Sequence, residues 1–216
     1  MHDSNLFFSL DQFAHRSLWQ NDKPVWHPLT LLKDYFHQMT TFKIEVEIPE
    51  GVFLKNPELI SIGKGTIIEP GTYIKGPCVI GKNSHIAHGA YIREFTLCGN
   101  ECSIGHSAEV KHSILLDKAT AAHFSYAGDS ILGNGVNLGA GVKCANVRLD
   151  KKNIMISFED KKFDTGLRKL GAIIGDHTQI GCNSVLNPGT LVERESLILP
   201  LSNISHGYSS KKKVCQ

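Results

Sequence analysis

The stretch "IGKGTIIEPGTYIKGPCVIGKNSHI", Ile62 to Ile86, carries an isoleucine at every sixth position. The spacing continues through ten positions without a polar residue: Ile62, Ile68, Ile74, Ile80, Ile86, Ile92, Cys98, Ile104, Val110 and Leu116. A helix needs apolar spacing near three and four, and a half-buried strand alternates every two. A six-residue period instead indicates short strands joined by tight turns and wound into a solenoid of stacked parallel coils.

The repeat resembles the left-handed parallel β-helix family, in which three hexapeptides make one triangular coil. The left hand is implied by this resemblance, because the usual crossover rule favours the opposite hand. We therefore predict an all-β solenoid, a left-handed parallel β-helix, over residues 46–206. A short α-helical N-terminal cap over residues 1–45, a projecting hairpin arm over 147–171 and a basic tail over 207–216 complete the predicted chain.

The period fails within "TAAHFSYAGDSILGNGVNLGAG", Thr120 to Gly141. The aliphatic residue is missing at Ala122, and the series resumes out of phase at Leu132, Leu138, Ile174, Ile180, Leu186, Val192, Ile198 and Ile204. Titratable and polar residues crowd the gap. We expect two coils to part from strict packing there, and we take the gap as the candidate site.

The composition limits the classes of protein to which the chain can belong. The chain has 216 residues, with 23 Lys and Arg against 21 Asp and Glu, so its near-neutral charge argues against a broad nucleic-acid surface. No segment approaches the roughly 18 apolar residues of a membrane span, and no secretory leader is evident. A soluble, cytoplasmic protein without nucleic-acid or membrane partners is expected.

The six cysteines are scattered and are read as reduced. Cys98 and Cys102 have a spacing that a metal site could use, but no second pair accompanies them, so filling of the core is the favoured interpretation.

The two ends are predicted separately. The capping-box spacing of Ser9 to Gln12 indicates one helix, and a second opens at Pro28. The alternating segment 42–48 should be the first strand. Residues 1–45 should cover the open end of the solenoid, with a separate functional domain as the alternative. The arm is either functional or packs against a neighbouring subunit.

Residues that lie three hexapeptides apart should stack at the strand spacing of about 4.8 Å. Lys75, Arg93 and Lys111 then form one column, whose mutual repulsion favours a bound anion such as phosphate over three solvated side chains. His88 and His106 also stack. Phe124 lies a further three hexapeptides beyond His106, so a three-histidine zinc site is not expected.

The stretch Glu109 to Gly141 resembles the acetyltransferase domain of the bifunctional N-acetylglucosamine-1-phosphate uridyltransferase. The family's E-V-K, G-H-x-x-Y-x-G-D and G-x-x-x-N-x-G-A-G stretches correspond to Glu109–Lys111, Ala122–Asp129 and Gly133–Gly141. The resemblance covers about residues 50 to 205 and is strongest from 93 to 146.

The resemblance implies an acetyl-CoA-dependent N-acetyltransferase acting on an amino-sugar phosphate of the glucosamine 1-phosphate type. His123 would be the base that deprotonates the acceptor ammonium, with direct transfer from the thioester. A backbone N–H near the Gly139–Gly141 turn would stabilise the oxyanion. The implied substrate contacts are Arg93, Lys111, Tyr126, Asn137 and Asn146. Ala140 and the turn near Cys182 would contact CoA, with simple packing of Cys182 as the alternative, and the assembly would be a homotrimer. Separately, the charge of the tail lysines Lys211 to Lys213 suits the CoA phosphates, although a terminal lysine run is more often only solvated.

Two departures from the family's sequence pattern bear on the identity of the acceptor. Val147 stands where the family has a tyrosine, and the arm replaces a shorter loop. Nothing before Phe42 can hold a nucleotidyltransferase domain. The alternative function is a non-catalytic hexapeptide protein that binds a sugar nucleotide or partners a separate nucleotidyltransferase.

Overall fold

The computed structural model describes residues 4–158, 161–205 and 207–209. Three parallel sheets form the faces of a solenoid. Sheet A contains β2 (Ile60–Ile62), β5 (Cys78–Ile80), β8 (Thr96–Cys98), β11 (Ile114–Leu115), β14 (Ile131–Leu132), β19 (Ala172–Ile174), β22 (Thr190–Val192) and β25 (Gly207–Ser209). The predicted fold class, a hexapeptide-repeat parallel β-helix, is confirmed.

The other two faces are built in the same way. Sheet B contains β1 (Phe53–Lys55), β4 (Tyr73–Lys75), β7 (Tyr91–Ile92), β10 (Glu109–Lys111), β13 (Tyr126–Gly128), β16 (Lys143–Cys144), β21 (Val185–Leu186) and β24 (Asn203–Ile204). Sheet C contains β3 (Ile67–Ile68), β6 (His85–Ile86), β9 (Ser103–Ile104), β12 (Thr120–Ala121), β15 (Asn137–Leu138), β20 (Gln179–Ile180) and β23 (Leu197–Ile198). Each coil runs from A through C to B, which defines A–C, C–B and B–A corners.

The inward side chains form one core along the solenoid axis. Most of the predicted six-residue series lies in it, from Ile62 to Ile204. Cys98 and Cys102 fill the same core, and burial raises the pKa of the Cys102 thiol to about 12. These two thiols are therefore inert packing groups at neutral pH.

Coil length changes where the sequence period failed. Tyr73 pairs with Tyr91, exactly three hexapeptides along the chain, whereas Glu109 pairs with Tyr126, one position short of that distance. The next coil is shortened in the same way, since Tyr126 pairs with Lys143. Each short coil lacks one residue at the B–A corner, between β10 and β11 and between β13 and β14.

The shorter coils overturn two assignments made from the period. Leu115 is the inward residue of β11, and Leu116 belongs to the outer cluster instead. Ala121, in register with Ile104 and Leu138, occupies the inward position that was expected at Ala122. Because β12 pairs with strands on both sides, the prediction that two coils part there is wrong.

The N-terminal segment crosses the outer face of sheet A instead of covering the end of the solenoid. Its apolar side chains pack with the outward residues of that sheet in a second cluster: Phe7, Phe8, Phe13, Leu18, Val25, Trp26, Leu29, Leu32 and Phe36 with Val79, Leu97, Ile114, Ile131, Ile173 and Leu191. At the A–C corner the N–H of Ser9 donates to buried Asp176 at 2.7 Å. At the B–A corner Phe36 meets Phe95 edge to face.

The second predicted helix is confirmed as α1 (His27–Gln38), with Pro28 in its first turn. The first predicted helix is wrong: apart from the short 3₁₀ turns Ser4–Leu6 and Arg16–Leu18, residues 7–26 are turns and irregular backbone. The capping-box reading fails because the Ser9 N–H is held by Asp176 rather than within a helix.

The predicted first strand is also wrong. Between Phe42 and Ile48 only Ile44 forms a bridge, with Ile62. A 3₁₀ turn (Pro57–Leu59) precedes sheet A. Nevertheless Ile44, Val46 and Ile48 pack against the axial core. This irregular segment, rather than the helical one, closes the first end of the solenoid.

The arm is a hairpin, as predicted, of antiparallel strands β17 (Met155–Phe158) and β18 (Lys161–Asp164). It does not project. Ile154 and Ile156 are fully buried against sheet A, where Gly189 leaves no room for a larger residue beside Ile154. Residues 207–209 belong to sheet A as β25, so the expected tail starts later. Lys211 to Lys213 lie outside the described residues.

Candidate active site

At the C–B corner, three of the predicted residues occupy one position in successive turns. Phe124 N–H donates to the carbonyl of His106, Gly141 N–H to that of His123, and Asn183 N–H to that of Ala140. The equivalent residues along the corner are thus His88, His106, His123, Ala140 and Cys182. The structure brings His123, Ala140 and Cys182 together in one column.

This register corrects the expected neighbour of His106. The shortened coil places His123, not Phe124, directly above it. Phe124 instead takes a left-handed conformation (φ 58°) and packs edge to face on the His106 ring at 5.2 Å. His88 and His106 stack at 5.5 Å, and the Nδ1 of each ring donates to a carbonyl one coil below.

His123 differs from these two histidines. Its side chain is exposed, and no hydrogen bond or ion pair involves its ring among the described residues. An unpaired imidazole at an open corner is available to a substrate amine, which is the geometric requirement for a general base.

One backbone N–H is available next to it. In the Gly139–Gly141 turn, Gly139 N–H donates to Ile180 O and Gly141 N–H to His123 O, both at 2.8 Å. Within the described part of the chain, Ala140 N–H has no acceptor. Gly141 has φ 73°, a conformation that glycine adopts without strain. This turn therefore presents one free donor beside His123, suited to a developing oxyanion.

At the B–A corner, the predicted column of Lys75, Arg93 and Lys111 is in register, but each of these cations has an acidic partner. Lys75 forms an ion pair with Glu94, Arg93 with Glu109 at 2.8 Å, and Lys111 with Asp129 at 3.0 Å. The expectation that mutual repulsion requires an anion is therefore wrong, because each cation has its own carboxylate. A ligand phosphate would have to share or displace these partners.

Asp129 is the centre of a hydrogen-bonded network. Its side chain is 7% exposed and receives Lys111 Nζ and Asn146 Nδ2, while His112 Nδ1 lies 2.9 Å from its other oxygen. Burial alone would raise its pKa, but His112, Asn146 and Lys111 together hold the pKa of this carboxyl below its ordinary value. Asp129 is thus a fixed anion that orients Lys111 and Asn146.

Tyr126 and Asn146 meet in the same network. Asn146 Nδ2 donates to the Tyr126 hydroxyl at 3.3 Å, and burial raises the pKa of Tyr126. A Cβ at Gly128 would lie 2.3 Å from that hydroxyl. Glycine is therefore required at 128 for Tyr126 to cross the surface of sheet B toward Asn146.

Asn137 lies apart from both clusters. It begins β15 on sheet C, half-buried between Thr120 and Gln179. The candidate residues therefore spread from sheet C over the C–B corner and sheet B to the B–A corner.

A cavity of about 320 Å³ lies at the B–A corner. Its lining combines residues of the solenoid with residues from the N-terminal segment and from the end of the arm: Lys33, Arg93, Glu94, Phe95, Lys111, His112, Asp129 and Lys169. Such a volume is at the lower limit of small-molecule pockets, roughly 300–1,000 Å³.

Known proteins match this chain at several levels. The family model described as the GMPPB C-terminal domain matches residues 74–160. A bifunctional sugar-1-phosphate nucleotidylyltransferase/acetyltransferase of Sulfurisphaera tokodaii is 40% identical over 107 residues, which cover 49% of this chain and 27% of that protein. The bifunctional protein GlmU of Methanococcus maripaludis is 40% identical over 89 residues, 41% of this chain and 21% of that protein.

A further relative is matched over most of its length. The uncharacterized acetyltransferase YaiX of Escherichia coli is 31% identical over 170 residues, which cover 78% of this chain and 74% of the relative. This chain belongs to the hexapeptide-repeat acetyltransferase family. The resemblance stated from the sequence is confirmed.

The chain spans only about a quarter of the length of the bifunctional relatives. No helix among the described residues is long and apolar enough to cross a membrane. Within the same residues, no cluster of three His, Cys, Asp or Glu side chains could hold a metal ion.

Sequence reasoning missed two members of this acetyltransferase's network, Asp129 and His112. Asp129 stands at the end of the quoted G-D stretch and His112 directly follows the E-V-K stretch. The available signal was the shortened coil, because each of the two residues stands at a corner that lacks one residue. Both adopt positive φ, 45° at His112 and 50° at Asp129, which tightens these corners.

Proposed function

We propose that this acetyltransferase transfers an acetyl group from acetyl-CoA to the amine of a phosphorylated amino sugar of the glucosamine 1-phosphate type. The observation that carries the proposal is the pairing, in adjacent turns of the C–B corner, of the unpartnered His123 ring with the free Ala140 N–H. The motif's cations Arg93 and Lys111 stand across sheet B from this pair, where the phosphate would bind.

The proposed reaction is a direct transfer. His123 accepts a proton from the acceptor ammonium, and the freed amine attacks the thioester carbonyl. The N–C bond forms and the C–S bond breaks, while Ala140 N–H stabilises the negative charge on the carbonyl oxygen. As the C–S bond breaks, the nitrogen gives up its second proton, which passes to the departing CoA thiolate to give the free thiol, and His123 releases the first proton to solvent. Cys182, exposed one coil beyond Ala140, is proposed to line the CoA groove rather than to react.

The acceptor phosphate is assigned to Arg93 and Lys111, and the sugar to Tyr126, Asn137 and Asn146. The Asp129 network supports this assignment because it fixes Lys111 and Asn146 before any ligand arrives. Preorganised donors lower the entropic cost of binding.

A thiol-release assay with acetyl-CoA and a panel of amino sugars tests the proposal. His123→Ala should lower kcat by roughly 10²–10⁴-fold, the range typical of a lost general base. His106→Ala is the matched control, since His106 stands one coil below at the same position, and its activity should stay within about threefold of the wild type. Equal activity of the two variants would contradict the assigned base.

A non-catalytic sugar-nucleotide-binding protein is the second candidate. One observation favours it: no described carboxylate or carbonyl orients the His123 ring, whereas catalytic histidines are usually held by such a partner. Absence of thiol release with every amino sugar, together with measurable binding of a sugar nucleotide, would select this alternative.

The proposal includes a homotrimer. Sheet A is covered by the N-terminal segment and the arm, whereas sheets B and C expose large apolar side chains such as Phe53, Ile67 and Leu197. Contact between subunits would bury these side chains. Light scattering of the purified protein should give three times the mass of the chain, and a monomer at assay concentration would exclude this assembly.

A further inference from the structure

The cavity at the B–A corner holds two cations beyond those of the family motif. Lys33 comes from α1 and Lys169 from the end of the arm, two elements outside the solenoid. Arg93 and Lys111 are neutralised by Glu109 and Asp129, and the cavity's other acid, Glu94, is taken by Lys75. Among the described residues, neither Lys33 nor Lys169 has a carboxylate partner.

Lys33 is positioned by contacts with residues that line the cavity. Phe95 packs against Phe36 of α1 at 6.0 Å and against His112 at 6.0 Å, and Lys33 Nζ lies 5.8 Å above the same ring. The α1 helix is thereby fixed over the cavity rather than placed there by chance.

Lys169 is positioned by the backbone that follows it. Leu170 N–H donates to Asn146 O at 3.0 Å, and Gly171 N–H donates to Asp129 O at 2.8 Å. The end of the arm is therefore hydrogen-bonded to two residues of the network.

A buried donor points to a ligand in the same place. Arg93 Nε is inaccessible to solvent and has no hydrogen-bond partner in the described part of the chain. His112 Nδ1, on the same cavity wall, is a second buried nitrogen without a hydrogen-bond partner among the described residues. Buried donors are normally satisfied, and a rotation of the Arg93 guanidinium toward the cavity would let an anionic group complete its bonding.

We propose that Lys33 and Lys169 bind a second phosphoryl group, so that the preferred acceptor is an amino sugar carrying a diphosphate rather than a monophosphate. This inference rests on the proposed acetyl transfer to an amino sugar and changes only the phosphate that the acceptor carries. One phosphoryl group would be shared by Arg93 and Lys111, and the other would neutralise the two unpaired lysines. The cavity admits a diphosphate, while the rest of the ligand would extend along the open surface.

Calorimetric titration with inorganic pyrophosphate and with orthophosphate tests the site without catalysis. Lys33→Met and Lys169→Met keep the apolar stem of each side chain and remove its charge. Each should weaken pyrophosphate binding by roughly tenfold, as expected for a lost charge-assisted contact, and should weaken orthophosphate binding less. Lys23→Met and Lys161→Met are the matched controls on the same two segments and should bind like the wild type.

Equal pyrophosphate affinity of all four variants and the wild type would overturn the proposal. Competition by a nucleoside diphosphate or by a short isoprenyl diphosphate would each support it and would distinguish a nucleotide from a lipid ester. Steady-state assays with glucosamine 1-phosphate and a nucleoside-diphosphate glucosamine distinguish a failure of the diphosphate site from a failure of the proposed function. If an amino sugar is acetylated but Lys33→Met and Lys169→Met bind pyrophosphate as tightly as the wild type, the diphosphate site alone is refuted. If the two lysines are needed for pyrophosphate binding but no amino sugar is acetylated, the proposed function alone is refuted.

Discussion

Two corners of the same solenoid are organised in opposite ways. At the C–B corner His123 and the Ala140 N–H are open and lack partners among the described residues. At the B–A corner Lys111, Asn146 and His112 converge on buried Asp129, beneath α1 and beside the end of the arm. In the proposed function, the proton acceptor and the oxyanion donor are left free, whereas the groups that would recognise an anion are fixed in advance. The two tasks place different demands on side-chain freedom.

Beyond the loss of the proposed base, the largest effect in comparing the two corners is expected from Gly141→Ala at the open corner. Gly141 has φ 73°, and a Cβ would lie 2.1 Å from Asn183 Oδ1, so the Asn183 side chain must rotate away or the turn that presents Ala140 N–H must shift. We expect kcat to fall by about 10²-fold, as for a lost oxyanion donor. Gly166→Ala in the arm is matched in φ, at 69°, but nothing lies within 4 Å of its Cβ.

The control should therefore show only the cost of backbone strain, about 1 kcal/mol, with kcat unchanged. Steady-state kinetics and urea unfolding of both variants provide the comparison. Similar kcat values for the two variants would mean that the Gly139–Gly141 turn has no catalytic part.

An intermediate effect is expected from Asp129→Asn at the covered corner. Loss of its charge weakens the hydrogen bonds from Lys111 and Asn146 and the close contact with His112, which should lower the free energy of unfolding at pH 7 by about 2 kcal/mol. Because the folded-state pKa of Asp129 is depressed, its contribution is complete above the unfolded pKa, near 3.9, and is lost as the pH falls through the folded value.

The difference between wild type and Asp129→Asn should thus be largest at neutral pH and shrink in acid. Urea unfolding at pH 7 and at pH 3 measures it. Asp22→Asn, at an exposed pair with Lys23, is the control and should change stability by no more than about 0.5 kcal/mol. A pH-independent difference would show that the Asp129 charge does not organise the covered corner.

The smallest effect is expected from Lys75→Met. Lys75 is in register with Arg93, but it pairs with Glu94 and does not line the cavity. We expect no measurable stability change, as is usual for an exposed ion pair, and less than about a twofold change in the KM for the acceptor. Arg93→Met, from the cavity itself, should raise that KM by roughly tenfold. Comparable KM values for both variants would show that Lys75 also takes part in binding the acceptor.

Much of the fold could be read from the sequence because a solenoid core repeats the same local environment. Each inward residue from Ile62 to Val110 faces an equivalent neighbour one coil away, so a short-range period reports a long-range structure. The hairpin and α1 were also predictable, from alternation and from Pro28. The N-terminal turns were not, since Phe13 and Leu18 are spaced to meet sheet A and not to form a helix face.

The candidate site was only partly predictable for the same reason. His123, Ala140 and the Arg93–Lys111 pair follow from motif and resemblance. The carboxylates that neutralise the cations do not, because Glu94 and Asp129 reach their partners around a corner rather than along a strand.

The sequence by itself determined the parallel solenoid, its axial core and the family, since these depend on residue type at a regular spacing. Only the tertiary structure decided the register beyond Val110. Leu115 and Leu116 are equally apolar and both fully buried, one in the axial core and one in the outer cluster, so hydrophobicity could not show which faces inward. That choice shortens the coil, places His123 above His106, and brings Lys33 and Lys169 to the cavity from segments distant in the chain.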